Sequence, residues 1–289
     1  MKYENVIYEK QDYVARITLN HPERMNALSL ELIRDWTDAI TEAEEDDEVK
    51  VVIFKGAGRA FCTGADLTTV GFIYGMKEPK PGEKARERAS QRIRLKLDRY
   101  IQCETMRRVF LCRKVTIAQV HGYCLGQGLM AAEKCDLIIG AEDCKFGYVE
   151  ERLGTGGNTM SPMLIFRVGL TKALELQITG KMIDGKEAER IQLINRAVPP
   201  DQLETEVDEL ARGIALYSRD GLAISKTARH AVYDSLGMTQ WFTTAYWSHT
   251  LVTNMKWEPD EYNFFKARRD KGVKVAEHEK HEFFKALDK

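Results

Sequence analysis

The fold is decided by one stretch of sequence, His121-Gly122-Tyr123-Cys124-Leu125-Gly126-Gln127-Gly128-Leu129-Met130. Its glycine-rich turn runs directly into a predicted helix over 127–134. The first turn of a helix presents unpaired backbone N–H groups and a partial positive charge. Glycine lets a ligand approach that backbone closely. The pattern is therefore typical of a backbone site that stabilises an oxyanion.

Met130 lies one turn into the predicted helix, at a position where a carboxylate would serve as an acid or a base. A thioether can neither activate a water molecule nor deliver a proton. The segment thus combines an anion-stabilising backbone with an apolar side chain. This combination limits the acid–base reactions that we expect.

Strands and helices alternate through the first half of the chain. A hairpin is predicted from strands over 6–9 and 14–20, and Ser29 is a good N-cap for a helix over 30–43. Further strands are predicted over 51–56, 115–121 and 137–140. This alternation predicts an α/β fold with a mainly parallel sheet.

The second half of the chain has a helical pattern. Helices are predicted over 161–168, 171–179, 185–190, 201–216 and 221–233. An aromatic-rich segment, 241–247, leads to a basic tail with helical spacing. The charged stretch 83–112 is predicted to form one long helix or two shorter ones.

Composition argues against several functional classes. The 289-residue chain has a net charge of −1, so no overall field attracts nucleic acid or an anionic membrane. A basic stretch over 84–114 is the best argument for RNA binding, but no aromatic-interleaved RNA motif accompanies it. We expect no nucleic-acid partner. The chain has neither a signal-peptide pattern nor an uncharged run of about 20 residues, which predicts a cytoplasmic protein without membrane spans.

The cysteines show no pattern of a redox or metal site. They are Cys62, Cys103, Cys112, Cys124, Cys135 and Cys144. None forms a C-x-x-C pair, so zinc-ligand spacing is missing. We expect reduced, mostly buried thiols and no bound metal.

Four segments together resemble the crotonase superfamily, that is, the enoyl-CoA hydratase/isomerase family. They are Arg24-Met25-Asn26-Ala27-Leu28-Ser29, Gly58-Arg59-Ala60-Phe61-Cys62-Thr63-Gly64-Ala65-Asp66-Leu67, the opening segment with Cys135-Asp136-Leu137, and Lys145-Phe146-Gly147-Tyr148-Val149-Glu150-Glu151-Arg152-Leu153-Gly154. Each motif is weak alone, but their order and spacing over roughly residues 5–230 are specific.

The resemblance implies a fold, an assembly and a substrate class. The fold is the crotonase (ClpP-like) fold, with a spiral of β-β-α units over 1–200. A helical region over 201–289 would mediate oligomerisation and cover the active site. The implied assembly is a homotrimer or hexamer. The implied substrate is an acyl-CoA thioester, with no further cofactor.

The resemblance also implies roles for individual residues. The backbone N–H groups of Ala65 and Gln127 would form an oxyanion hole for an enolate. Glu150 is the expected acid/base, because its spacing from Phe146-Gly147 fits and Glu151 is offset by one residue. Contacts with CoA or substrate are expected from Arg24, Ala27, Asp66, Leu67, Gly126, Met130, Tyr148 and Asn158. For Asp66, stabilisation of the local turn by hydrogen bonding is the simpler interpretation.

Met130 leaves several reactions open. Relatives that hydrate a double bond use two glutamates, and Met130 occupies the position of one of them. A single carboxylate favours double-bond isomerisation through an enolate. The alternatives are a hydratase, a hydratase-lyase of the hydroxycinnamoyl-CoA type, a C–C bond hydrolase on a bulky acyl-CoA, and a non-catalytic acyl-CoA binder. Substitutes for the missing acid would be Glu133, Tyr148, Asn158, Tyr246 or Tyr262, although packing explains each of these.

Overall fold

The protein is built around a mainly parallel β-sheet. The computed structural model describes residues 3–68, 89–154, 161–252 and 255–288. The main sheet has the strand order β1-β2-β3-β4-β6-β8, and β5 pairs with β7 in a second, two-stranded sheet. The strands are β1 (Val6–Gln11), β2 (Val14–Leu19), β3 (Val51–Gly56), β4 (Val115–Val120), β5 (Tyr123–Leu125), β6 (Leu137–Ala141), β7 (Lys145–Gly147) and β8 (Arg196–Val198).

Helices lie between the strands and make up the C-terminal part. They are α1 (Leu30–Glu45), α2 (Gln91–Asp98), α3 (Thr105–Leu111), α4 (Gln127–Ala132), α5 (Pro162–Thr179), α6 (Gly185–Arg190), α7 (Leu203–Ile214), α8 (Arg219–Ser235), α9 (Trp241–Val252), α10 (Phe264–Lys271) and α11 (Val273–Phe283). Within the described ranges, no helix combines the length and apolar content needed to cross a bilayer.

The predicted hairpin and parallel sheet are confirmed. Strands β1 and β2 pair antiparallel, and every other pairing in the two sheets is parallel. Asp12 adopts a φ of 54° at the hairpin turn, a left-handed conformation that Asp tolerates. The turn therefore lies later than the sequence suggested, because β1 continues to Gln11.

A buried apolar layer joins helix α1 to the sheet. Ser29 caps α1 by accepting a hydrogen bond from the Leu32 amide at 3.2 Å, as predicted. Trp36 packs edge-on against Phe54 of β3, with ring centroids 5.9 Å apart. All six cysteines are free thiols, and their predicted burial is confirmed.

Three helical segments differ in detail from the predictions. Helix α4 ends at Ala132, two residues before the predicted end. The charged stretch, described from residue 89, forms α2 and α3 joined by a π-helical turn, Arg99–Glu104. Helix α5 joins the two helices predicted within 161–179, with a kink between them at Gly169, where the backbone is non-helical and φ is 75°.

Asn26 locks the loop that follows β2. Its side chain accepts a hydrogen bond from the His21 amide at 2.9 Å and donates to the carbonyl groups of Ala57 and Ala60 at 3.0 and 2.8 Å. The residue is fully buried and has a φ of 55°. The loop carrying Arg24 is thereby fastened to the chain that follows β3.

We predict that Asn26→Ala destabilises the protein by at least about 2 kcal/mol, because buried backbone groups lose their partners. The measurement is urea unfolding followed by circular dichroism. Asn263→Ala is the matched control: it removes an exposed N-cap on α10 and should cost only about 1 kcal/mol. Equal losses in the two variants would contradict the role given to Asn26.

Candidate active site

Two loops meet beside the opening segment and bring the predicted oxyanion donors together. The Cys62 amide donates to the Tyr123 carbonyl at 3.1 Å, and the Leu125 amide donates to the Cys62 carbonyl at 2.9 Å. At Gly64, where φ is 87°, a Cβ atom would lie 3.2 Å from the Gln127 nitrogen. The backbone before Ala65 thus lies directly against the start of α4.

Gly126 allows the catalytic candidate Glu150 to reach the same place. The Gly126 amide donates to the Gly147 carbonyl at 2.8 Å, which joins the start of α4 to the end of β7. Gly126 has a φ of 54°, and a Cβ atom here would overlap the Glu150 carboxylate. The backbone N–H of Gln127 lowers the pKa of that carboxylate. The structure therefore places the predicted base against one predicted oxyanion donor.

The Glu150 carboxyl group has the electrostatics of a general base. Both carboxylate oxygens are buried, although other atoms of the residue are partly exposed. Burial raises its pKa to about 7, while the backbone N–H groups of Glu150 and Gln127 and the charge of Lys280 oppose the rise. A carboxyl group with this pKa is poised to exchange protons near neutral pH.

Glu151 has a different environment from its neighbour. Burial, and then the charge of Glu150, raise the pKa of Glu151 to about 8, and the Gln177 side chain opposes the rise. Gln177 belongs to α5. The preference for Glu150 over Glu151, made from spacing, is therefore consistent with where the two carboxyl groups lie.

Met130 packs inside the helix that begins with Gln127. It is 8% exposed, and its amide donates to the Gly126 carbonyl at 2.9 Å. The next carboxylate along α4 is Glu133, which is completely buried and accepts a hydrogen bond from the Tyr148 hydroxyl. The predicted substrate contact Asn158 lies outside the described residues.

Arg24 and Asp66 form a polar pair beside the loop of Ala65. Arg24 Nη1 lies 2.7 Å from Asp66 Oδ2 and 2.8 Å from Thr68 Oγ1. Asp66 also accepts from the Thr68 amide and hydroxyl at 2.9 and 2.7 Å, so it stabilises the turn as the simpler interpretation held. The Arg24 side chain remains 46% exposed. Ala27 is buried next to Leu28, whose amide donates to Gly64.

Sequence reasoning missed three residues that contact this site from distant parts of the chain. Arg268 of α10 donates to the Leu67 carbonyl at 2.6 Å. Lys280 of α11 acts electrostatically on Glu150. Gln102, in the π-helical turn, accepts a hydrogen bond from the Gln127 side chain. No local motif marks these residues, because only tertiary packing brings them to the site.

Comparison with known proteins identifies the class of protein. Residues 9–269 match the family model described as enoyl-CoA hydratase/isomerase. A probable enoyl-CoA hydratase of Mycobacterium bovis is 33% identical over 236 residues, covering 81% of this chain and 84% of the relative. A crotonyl-CoA hydratase of Syntrophomonas wolfei is 34% identical over 233 residues, covering 79% and 82%.

A solved structure agrees with the sequence matches. The crystal structure of an enoyl-CoA hydratase/isomerase from Xanthobacter autotrophicus superposes with a TM-score of 0.84 at 30% identity, covering 97% of this chain and 98% of the other. The chain belongs to the enoyl-CoA hydratase/isomerase family of the crotonase superfamily. The expected crotonase fold is thereby confirmed.

We predict that Glu150→Gln stabilises the protein relative to the wild type as pH rises. The folded-state pKa of Glu150, about 7, lies above its ordinary value of 4.5, so the folded state binds the proton more tightly. This stabilisation is complete below pH 4.5 and is lost as pH rises to 7, an amount on the order of 3 kcal/mol. Thermal unfolding from pH 4 to 8 measures the difference.

Met130→Leu is the control for this measurement, because it changes a neighbouring side chain without changing a titratable group. Its stability difference from the wild type should not vary with pH. A Glu150→Gln advantage that stays constant, or that grows toward acid pH, would contradict the burial of the ionised Glu150 carboxylate.

Proposed function

We propose that this protein binds acyl-CoA thioesters and transfers a proton through an enolate, with Glu150 as the only carboxylate acid/base. Double-bond isomerisation is the favoured reaction. One observation carries the proposal: the Glu150 carboxylate lies against the Gln127 N–H, while Met130 occupies the next turn of the same helix. Base and oxyanion donor are together, and a second acid is missing at that turn.

The chemistry requires a base and a place for the electrons. The Glu150 carboxylate removes a proton from the carbon next to the thioester, and the electron pair moves onto the thioester oxygen. The N–H groups of Ala65 and Gln127 stabilise the resulting oxyanion, an effect worth about 3 kcal/mol per donor. When the substrate carries a β,γ double bond, the charge spreads to its far carbon. The protonated Glu150 then returns the proton there, which completes isomerisation.

Substrate binding strengthens the base in this scheme. Before binding, the Gln127 N–H interacts with the Glu150 carboxylate and lowers its pKa. A thioester oxygen that takes over this N–H removes that stabilisation of the ionised carboxylate. The pKa of Glu150 then rises, and the carboxylate becomes a better proton acceptor at the moment the substrate is in place.

Because of Met130, we rank hydration below isomerisation among the proposed reactions. Addition of water needs one group to activate the water and a proton donor for the α-carbon. Hydratase, hydratase-lyase of the hydroxycinnamoyl-CoA type and C–C bond hydrolase activities remain the alternative proposals. The word hydratase in the names of the relatives supports the first of these. A non-catalytic acyl-CoA binder is the alternative from another functional class. The buried Glu150 carboxyl group, with its raised pKa, argues against it.

The exposed Arg24 guanidinium is the proposed contact for a CoA phosphate. Asp66 and Thr68 hold it in one orientation next to the oxyanion loop. Ala27 and Leu67 are also expected to contact CoA. They lie on two neighbouring chain segments, which are joined where the Leu28 amide donates to the Gly64 carbonyl.

The helical C-terminal region is proposed to complete the site and to take part in oligomer formation. Trp257 donates to the Gly154 carbonyl at 3.0 Å, and Arg152 lies 2.6 Å from Asp288. With the Arg268 contact to Leu67, the C-terminal chain is fastened to both the oxyanion loop and the turn of Glu150. This arrangement supports a covering role.

The proposed pH dependence of the reaction follows from the base. Activity should rise through about pH 7 as Glu150 ionises. We predict that Glu150→Gln reduces α-proton exchange by at least about 100-fold, because an amide cannot accept the proton. The assay incubates straight-chain, branched and aromatic acyl-CoA thioesters in D₂O and follows deuterium uptake by mass spectrometry.

Glu151→Gln is the matched control, because it changes an adjacent carboxyl group that is directed to Gln177. It should retain most of the exchange activity. Wild-type exchange in Glu150→Gln would overturn the assignment of the base. Tight thioester binding without any exchange in the wild type would favour the non-catalytic binder.

A trimer or a pair of trimers is the proposed assembly. After the kink at Gly169, helix α5 exposes an apolar stripe at four-residue spacing, Leu170, Leu174 and Ile178. A second copy of the chain would remove this stripe from water.

Light scattering should therefore give a multiple of three 33.0 kDa chains, that is, about 99 kDa or twice that mass. Leu170→Glu with Ile178→Glu should shift the mass toward the monomer if the stripe is covered, since burying a charge is costly. Lys172→Glu on the same helix is the control and should leave the mass unchanged. A monomeric wild type would contradict the proposal.

A further inference from the structure

A buried tyrosine–glutamate pair lies beneath the candidate site and has no part in the proposed proton transfer. The Tyr148 hydroxyl donates to Glu133 Oε1. Tyr148 is 2% exposed and Glu133 is 0% exposed. Polar groups are this deeply buried only where each finds a partner, since the loss of one partner costs about 1–3 kcal/mol.

The pair connects the two chain segments that carry the functional groups. Helix α4 begins with Gln127, the oxyanion donor, and Glu133 is its C-cap residue. Tyr148 follows β7 directly and precedes Glu150 by two residues. One tie between these segments lies at Gly126, whose amide donates to Gly147. The Tyr148–Glu133 bond is a second tie, at the far end of α4.

Glu133 is itself held from the opposite side. Its Oε2 lies 3.7 Å from Lys134 Nζ, which donates to Ser161 Oγ at 2.6 Å and sits 4.2 Å from the Trp241 ring centroid. Arg167 donates to the carbonyl groups of Glu133 and Cys135 at 3.2 and 2.9 Å. The Glu133 carboxylate is thus a fixed anchor, and Tyr148 takes its position from it.

We propose that Tyr148 and Glu133 are positioning residues that fix the Glu150 carboxylate against the Gln127 N–H. Two ties at opposite ends of α4 prevent the segment of Glu150 from pivoting about Gly126. A displacement of a catalytic group by about 1 Å can cost 100-fold in rate. The inference rests on the proposed function for its catalytic consequence, but not for its structural one.

The charged groups around Glu150 allow a clean test. Lys280 from α11, the adjacent Glu151 and the Cys62 thiol interact electrostatically with Glu150. Tyr148→Phe removes one hydroxyl group and leaves these three groups in place. A change in the pKa of Glu150 in this variant therefore reports a change in position relative to the Gln127 N–H.

The experiment measures two quantities in the full-length protein. The first is the titration of the Glu150 carboxyl carbon by ¹³C NMR, assigned by its loss in Glu150→Gln. Tyr148→Phe should raise this pKa, because the carboxylate moves away from the Gln127 N–H that lowers it. The second is α-proton exchange of the acyl-CoA panel, where kcat should fall at least about tenfold with KM nearly unchanged.

Tyr3→Phe is the matched control, because Tyr3 donates to Glu42 at 2.6 Å in a remote tyrosine–glutamate pair. It should change neither quantity. Glu133→Leu should reproduce Tyr148→Phe, and the double variant should be no worse than either single one, since both remove the same bond. Glu133→Gln keeps an acceptor for the hydroxyl and should retain more activity than Glu133→Leu.

The outcomes separate this inference from the proposed function. A folded Tyr148→Phe with wild-type titration and wild-type exchange would overturn the positioning role. A shifted titration in a protein whose wild type exchanges no α-proton would support positioning and contradict the proposed function. If Tyr148→Phe does not fold, the titration of Glu150 in Glu133→Leu decides, because that variant removes the same bond. Mispositioning raises the pKa of Glu150, whereas loss of the negative charge alone lowers it or leaves it unchanged.

Discussion

The close contact between Gly126 and the Glu150 carboxylate is the constraint on which the candidate site depends. A Cβ atom at Gly126 would occupy the space of that carboxylate, and the positive φ of the residue also favours glycine. This contact brings a base from the turn after β7 to the first N–H of α4. Without it, the predicted oxyanion donor Gln127 and the predicted base Glu150 would lie apart.

Burial gives the groups around this contact their chemistry. Glu150 has a pKa near neutrality because water is excluded from its oxygens and only part of that cost is offset by backbone N–H groups. Glu133 is also buried, but it is surrounded by Tyr148, Lys134 and the backbone contacts of Arg167. Two glutamates of the same small region, both with buried carboxyl groups, therefore differ: Glu150 is the proposed base, and Glu133 is held by structural contacts.

Residues near the C-terminus contact the candidate site directly. Arg268 holds the Leu67 carbonyl on one side, and Trp257 holds the Gly154 carbonyl on the other. These bonds join residues more than 100 positions apart. They connect the C-terminal chain to the loop of Ala65 and to the turn of Glu150. The geometry of the candidate site therefore depends on helices that contribute no recognisable motif.

The sequence by itself determined the class of fold, most strands and helices, and the candidate catalytic residues. Alternating apolar runs and glycine stops carry that information locally, and the Ser29 cap and the β1–β2 hairpin are examples. The motif spacing likewise separated Glu150 from Glu151. Only the tertiary structure decided that Tyr148 bonds to Glu133, that Gln102 meets Gln127, and that Lys280 acts on Glu150. The physical reason is that burial and long-range contacts arise from the packing of distant segments, which no local pattern encodes.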